Sequence, residues 1–111
     1  MCGISGFFDK TFRLDKSQLE KYNKALAHRG PDGNDICFNK TSNGNLGFAH
    51  TRLAILDLSD LGKQPMYFQN LTIILNGEIY NFRSIQKELE ILGYSFTSSS
   101  DTEVILKSFH A

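Results

Sequence analysis

The sequence has few cysteines, no excess of charge of either sign and no long apolar run. Two of its 111 residues are cysteines, and twelve basic residues balance twelve acidic ones. This balance excludes the basic surface with which proteins bind nucleic acid or an anionic membrane. Apolar runs such as residues 71–75 are far shorter than the ~20 residues that span a bilayer. We therefore expect neither nucleic acid nor a membrane as a partner.

The amino terminus also lacks recognisable targeting signals. No basic segment with a following apolar core is present, and position 2 is not the glycine that myristoylation needs. We expect a cytoplasmic protein in which Cys2 and Cys37 are free thiols. These cysteines and the three histidines lack metal-ligand spacing, so no metal site is expected. No Gly-rich pyrophosphate loop occurs, so no nucleotide cofactor is expected in this segment.

The absence of repeats, low-complexity tracts and charge blocks indicates one continuous unit. Apolar periodicity and turn residues predict strands at residues 2–8, 35–38, 46–51, 71–75 and 94–97, and helices at 16–28, at 82–92 and from Ser100 onward. Ser17 with Glu20, and Ser100 with Glu103, have the spacing of capping boxes at the first and last helices. Strands layered with helices predict an α+β fold.

Cys2 is the first candidate for chemistry. Removal of Met1 would leave a residue that carries both a thiol and a free α-amine. Such an amine titrates near pH ~8 and can take the proton of the thiol, so that no histidine is needed as the base. The alternative is a buried structural cysteine in the first strand, and position 2 alone does not decide between them.

Polar residues that interrupt apolar segments are further candidates. Arg52 is either one half of a structural ion pair or a bidentate ligand for a substrate carboxylate. Asn76 and Gly77 have the sequence of a hairpin turn, yet a helix follows, which favours two hydrogen-bond donors facing an oxyanion. Asp101, at the start of the last helix, is by itself better explained as a capping or dipole-neutralising charge.

Six stretches together resemble one known family. They are residues 1–6 (Met-Cys-Gly-Ile-Ser-Gly), 28–32 (His-Arg-Gly-Pro-Asp), 49–57 (Ala-His-Thr-Arg-Leu-Ala-Ile-Leu-Asp), 64–65 (Gln-Pro), 76–81 (Asn-Gly-Glu-Ile-Tyr-Asn) and 100–106 (Ser-Asp-Thr-Glu-Val-Ile-Leu). In this order and spacing they resemble the glutaminase domain of class II, N-terminal-nucleophile glutamine amidotransferases, specifically that of glutamine-hydrolysing asparagine synthetases. The resemblance extends from end to end of the chain. It implies part of an Ntn-hydrolase αββα sandwich, in which antiparallel sheets are layered with helices.

The resemblance implies a role for each matching residue. Cys2 would attack the side-chain amide of L-glutamine, with its own α-amine acting as base and later as acid towards the departing ammonia. The Asn76 side chain and the Gly77 N–H would form the oxyanion hole. The other residues would bind substrate or support the site: Arg52 the α-carboxylate, Leu53, Ala54, Ile55 and Leu56 the pocket wall, Glu78 and Asp101 the α-ammonium, and Arg29 and Asp32 the loop over the nucleophile.

The resemblance also implies a longer protein than this sequence. We expect residues 1–111 to be the N-terminal portion of a type 2 glutamine amidotransferase domain, truncated at Ala111 before the sandwich is complete. A synthetase domain, in cis or in trans, would use ATP and Mg²⁺ to activate aspartate and would amidate it with the ammonia. Two alternatives stay open: the glutaminase part of another class II amidotransferase, and a non-catalytic glutamine-binding or interaction fragment.

Overall fold

The computed structural model describes residues 2–54 and 58–111. The elements in chain order are β1 (Gly3–Asp9), α1 (Lys16–Ala25), β2 (Gly33–Lys40), β3 (Asn45–Arg52), β4 (Met66–Phe68), β5 (Leu71–Ile73), α2 (Phe82–Ile91) and α3 (Asp101–His110). Short 3₁₀ turns lie at Ala27–Arg29 and Asp60–Gly62. None of the helices in these two ranges is both long and apolar enough to cross a membrane.

The first sheet has the order β1-β3-β2, and both outer strands run antiparallel to β3. Gly3 pairs with Thr51, and Gly33 pairs with Arg52. The start of β1 and the start of β2 therefore meet at the carboxyl end of β3. This edge of the sheet brings Cys2 close to Arg52, although fifty residues separate them in sequence.

The two faces of the first sheet have different neighbours. Leu19 of α1 is fully buried against the face that includes Gly47, where any Cβ would overlap the Leu19 methyl groups. A second sheet pairs β4 with β5. On the opposite face of the first sheet, His50 contacts the backbone of Leu75, which follows β5 in the chain. Helix α3 packs against β4 and β5. The layers are therefore α, β, β, α, and the predicted α+β sandwich is confirmed.

Helices α2 and α3 share the principal apolar cluster of the described residues. Phe82, Leu89 and Val104 are buried at its centre, and Ile79, Ile85, Tyr94 and Phe96 pack around them. The interior side of α2 thus carries Phe82, Ile85 and Leu89, whereas Leu92 follows the helix and is 68% exposed.

The predicted strand at residues 94–97 is wrong. The Tyr94 N–H donates to the Leu89 carbonyl oxygen at the end of α2, and the Thr97 N–H donates to the carboxylate of Glu103. The ammonium group of Lys107 donates to the Ser95 carbonyl oxygen. Because helix ends and side chains satisfy these backbone groups, the segment has no need of a partner strand.

Three local predictions differ in detail from the structure. The N-cap of α1 is Asp15, whose carboxylate accepts from the Ser17 N–H at 2.9 Å, so the capping box that begins at Ser17 is wrong. The predicted strand 71–75 ends at Ile73. Strand β4 was not predicted, because its three residues follow Gln64 and a cis Pro65 and are too few to show an alternating pattern.

Candidate functional site

A small cavity of about 70 Å³ lies at the carboxyl end of β3. Its walls come from segments that are far apart in sequence. The lining residues are Cys2, Arg52, Leu53, Ala54, Gly62, Gln64, Leu75, Gly77, Glu78, Ser100, Asp101 and Thr102. Seven of these twelve are predicted site residues. The fold therefore gathers most of the predicted site around one concavity.

Cys2 is half-buried at the start of β1, and its sulfur faces the segment after β3. The Leu53 N–H donates to Sγ with an N–S distance of 3.3 Å, and Sγ lies 3.7 Å from the Leu53 carbonyl oxygen. These contacts set the direction of the thiol at the cavity wall. Both Cys2 and Cys37 are free thiols, as predicted.

The loop from Arg29 to Asp32 braces this arrangement. Arg29 donates from Nε to the carbonyl oxygen of Cys2 at 3.2 Å, and the Asp32 carboxylate accepts from the Ala54 N–H at 2.8 Å. A Cβ on Gly30 would overlap the backbone of β3, so only glycine lets the loop lie so close to the strand. The loop thus holds both the backbone of Cys2 and the segment that follows Arg52.

The second wall of the cavity is the segment that leads from β5 into α2. Gly77 and Glu78 line the cavity, and the Asp101 carboxylate accepts from the Ile79 N–H at 2.9 Å. Asp101 is 5% exposed and stands at the first turn of α3, where the helix dipole favours its negative charge. Asn76 is half-buried between two lining residues but is not itself one of the lining residues.

Three further residues adjoin the site, although the sequence predicts no role for them: Gln64, Thr102 and His50. The buried Gln64 donates from Nε2 to Thr102 Oγ1 at 3.1 Å, and its Oε1 accepts from the Leu75 N–H at 2.5 Å. His50 Nε2 lies 3.2 Å from the Leu75 carbonyl oxygen. The sequence signals that could have indicated these residues were the Gln64-Pro65 pair and the presence of the polar residue His50 within the apolar strand β3.

Burial lowers the pKa of His50, although its hydrogen bond to Leu75 acts in the opposite direction. Its ring is therefore neutral at neutral pH. Because a carbonyl oxygen can only accept, Nε2 carries the ring proton. Among the described residues, Nδ1 of His50 has no hydrogen-bond partner, which fits the acceptor nitrogen of this tautomer.

Not every predicted residue can be placed. Ile55 and Leu56 lie outside the described residues. Arg29 and Asp32 touch the site through the backbone of Cys2 and Ala54 and do not line the cavity. Within the described ranges, no group of three or more His, Cys, Asp and Glu side chains could hold a metal ion. The catalytic and binding roles stay predictions.

A match to a known protein family identifies the type of domain. A family model described as a glutamine amidotransferase domain matches residues 1–111. The chain belongs to this glutamine amidotransferase family. The resemblance of the sequence to a glutamine amidotransferase domain is therefore confirmed.

Several relatives of this amidotransferase domain are named as asparagine synthetases. The glutamine-hydrolyzing asparagine synthetase 1 of Bacillus subtilis is 39% identical over 115 residues, which cover 98% of this chain and 17% of that protein. Asparagine synthetase B of Escherichia coli is 42% identical, with 96% of this chain and 19% of that protein covered. The Sandersonia aurantiaca enzyme is 38% identical, with coverages of 95% and 19%. The chain spans about a fifth of the length of these relatives.

Proposed function

We propose that this amidotransferase domain hydrolyses L-glutamine to glutamate and ammonia through a thioester on Cys2. The observation that carries the proposal is the common cavity of Cys2, Arg52, Gly77 and Asp101. Each of these groups suits one part of the reaction. The thiol can attack the amide carbon, and the guanidinium can bind the substrate carboxylate. The backbone N–H can stabilise the developing oxyanion, and the Asp101 carboxylate can bind the ammonium group.

The first half of the reaction is acylation. The α-amine of Cys2 takes the thiol proton, and the sulfur attacks the carbonyl carbon of the glutamine side chain. The Asn76 amide and the Gly77 N–H stabilise the negative oxygen of the tetrahedral intermediate. The α-ammonium then returns its proton to the nitrogen, so that the C–N bond breaks and ammonia leaves. In the second half, water attacks the thioester with the α-amine as base, and glutamate is released.

Substrate orientation is assigned to charged residues around the cavity. Arg52 binds the α-carboxylate, while Glu78 and Asp101 bind the α-ammonium, so that only an amino acid with both groups is held at both ends. Backbone from residues 53–56 forms the adjacent wall. Arg29 and Asp32 support the loop beside the nucleophile.

The proposed ammonia acceptor is aspartate. This proposal rests on the names of the relatives and on the six stretches that resemble the family. A synthetase domain, on the same or another chain, would activate aspartate with ATP and Mg²⁺, and the present segment would need no cofactor. We place this reaction in the cytoplasm. Asparagine formation by the natural-length protein from aspartate, ATP and glutamine tests the acceptor, and amidation of a different acceptor would refute it.

Cys2 gives the direct test of the glutaminase. The natural-length protein should lack Met1 by intact-mass analysis, because the α-amine must be free. Its Cys2→Ala variant should release no ammonia from glutamine and still bind glutamine in calorimetry. Cys37→Ala is the matched control, since this second free thiol lies in β2 outside the cavity lining.

A Cys2→Ala enzyme that keeps most of its rate, or an active enzyme that retains Met1, would refute the mechanism. Glutamine binding by a wild type that releases no ammonia would favour a non-catalytic module instead.

A further inference from the structure

The segment that precedes the proposed oxyanion donors is held in an unusual way. Strand β5 ends at Ile73, so the peptide groups of Leu75 are not part of the sheet ladder. Side chains take the place of a partner strand. The Leu75 N–H donates to Gln64 Oε1, and the Leu75 carbonyl oxygen accepts from His50 Nε2.

Both side chains are themselves buried. His50 is 1% exposed in the central strand of the first sheet, and Gln64 is 8% exposed. Gln64 also donates to Thr102 of α3, directly after Asp101. The same glutamine therefore connects the segment before Asn76 to the helix that carries the proposed ammonium ligand.

The next fixed point along the chain is Ile79, whose N–H donates to Asp101. Between Leu75 and Ile79 lie only Asn76, Gly77 and Glu78. Gly77 lacks a side chain, and among the described residues a Cβ built there would meet only a Leu75 methyl group at 3.8 Å. The direction of its N–H thus depends on how the ends of this short segment are held.

We infer that Gln64 and His50 are positioning residues that hold the N–H and the carbonyl group of Leu75 and thereby aim the Asn76 and Gly77 donors at the oxyanion. The inference rests on the proposed function of this site and adds two residues to it. Because the oxyanion exists only in the transition state, misaimed donors lower kcat while substrate affinity is retained.

The test compares isosteric and conservative variants in the natural-length protein. Gln64→Met and His50→Leu remove the hydrogen bonds at similar volume. Each should lower kcat by roughly tenfold to a hundredfold and change KM by less than about twofold, because small misplacements of catalytic groups have effects of this size. His50→Gln can still donate to Leu75 and should recover most of the lost kcat.

Asn45→Ala is the matched control. Asn45 is also buried in β3 and donates to a backbone carbonyl, that of Leu14, but it lies at the end of the strand away from the cavity. This variant should lose stability and keep its kcat. The Gly77 amide resonance in ¹H–¹⁵N spectra should shift in Gln64→Met and stay in place in Asn45→Ala.

The outcomes separate the two proposals. An unchanged kcat in both Gln64→Met and His50→Leu, or an equal loss in Asn45→Ala, would overturn the positioning role. A wild type without glutaminase activity would instead refute the proposed function. The Gly77 resonance would then test the positioning role by itself, because an NMR spectrum needs no turnover. A shift of this resonance in Gln64→Met would support the positioning role, and an unchanged resonance would overturn it.

Discussion

Arg52 donates from Nη1 to the carbonyl oxygen of Ser59 at a distance of 2.7 Å. This contact joins the last residue of β3 to the backbone just before the second 3₁₀ turn, and it fixes the plane of the guanidinium at the cavity wall. Arg52 is 9% exposed, so its charge is held in a largely dry environment. The planar fork of arginine is suited to binding a backbone oxygen and a carboxylate together.

Arg52→Lys should therefore raise the KM for glutamine by about tenfold or more and change kcat less, because a single ammonium cannot reproduce the planar fork. Steady-state ammonia release measures both constants. Arg83→Lys, on the exposed side of α2, is the matched control and should leave both constants unchanged. A fall in kcat at constant KM would mean that Arg52 acts on the transition state and does not hold the substrate.

Asn76→Ala should have the opposite signature. If its amide stabilises the oxyanion, its loss should lower kcat by about two to three orders of magnitude with little change in KM. Asn70→Ala, in the turn between β4 and β5, provides a control with the same chemical change. Should Asn76→Ala mainly raise KM, the amide would bind ground-state glutamine and the oxyanion would need another donor.

Glu103 should make folding stability dependent on pH. Its carboxylate lies 2.7 Å from the Lys107 ammonium and accepts from the Ser98 N–H at 2.8 Å. Burial raises its pKa, but the hydrogen bonds from Lys107, Ser98 and Thr97 together outweigh burial and leave the pKa below its ordinary value of 4.5. The stabilisation is therefore complete above about pH 4.5 and is lost as the pH falls through the lower, folded-state pKa.

Urea unfolding across this range measures the effect. Glu103→Gln should lower the free energy of unfolding by about 3 kcal/mol at pH 7, because Lys107 keeps a buried charge without its partner. The difference from wild type should shrink as acid protonates Glu103. Glu90→Gln, on the exposed side of α2, should show neither effect. A difference that stays constant down to pH 3 would show that the native carboxylate is not the source of the stabilisation.

The face of β1 that lies opposite α1 should make the 111-residue chain self-associate. Ile4 and Phe8 are 44% and 50% exposed, and both lie on the side of the first sheet opposite α1. Exposed neighbouring apolar side chains on an edge strand favour association. We expect light scattering to detect oligomers of residues 1–111 and ammonia assays to find little activity, with Phe8→Ser reducing the association.

Ile91→Ser is the control for that surface, because Ile91 is 86% exposed on a different element, α2. Equal reductions by both variants would point to general surface hydrophobicity. A monomeric, cooperatively melting and active 111-residue chain would contradict the prediction altogether.

Much of this molecule follows from local sequence. The helix α2 and the three strands of the first sheet were predicted correctly, because the spacing of apolar residues differs between helices and strands. Ser100 is the N-cap of α3 as predicted, with its side chain accepting from the Thr102 N–H at 3.1 Å, but Glu103 of the predicted capping box accepts from Thr97 and Ser98. The family was also predicted correctly, because six short stretches occur in this chain in the order and spacing that resemble that family.

Other features depend on contacts between distant segments. Residues 94–97 have the composition of a strand, yet they end in hydrogen bonds to Glu103 and Lys107, which no local pattern reveals. Gln64 and His50 lie in stretches that resemble the family, but the sequence does not reveal that they bind Leu75, because its backbone groups lie eleven or more residues away along the chain. The sequence by itself determined which groups can perform the chemistry. Only the tertiary structure decided which backbone groups form hydrogen bonds with side chains. The choice depends on where each strand ends and on which side chains pack beside it.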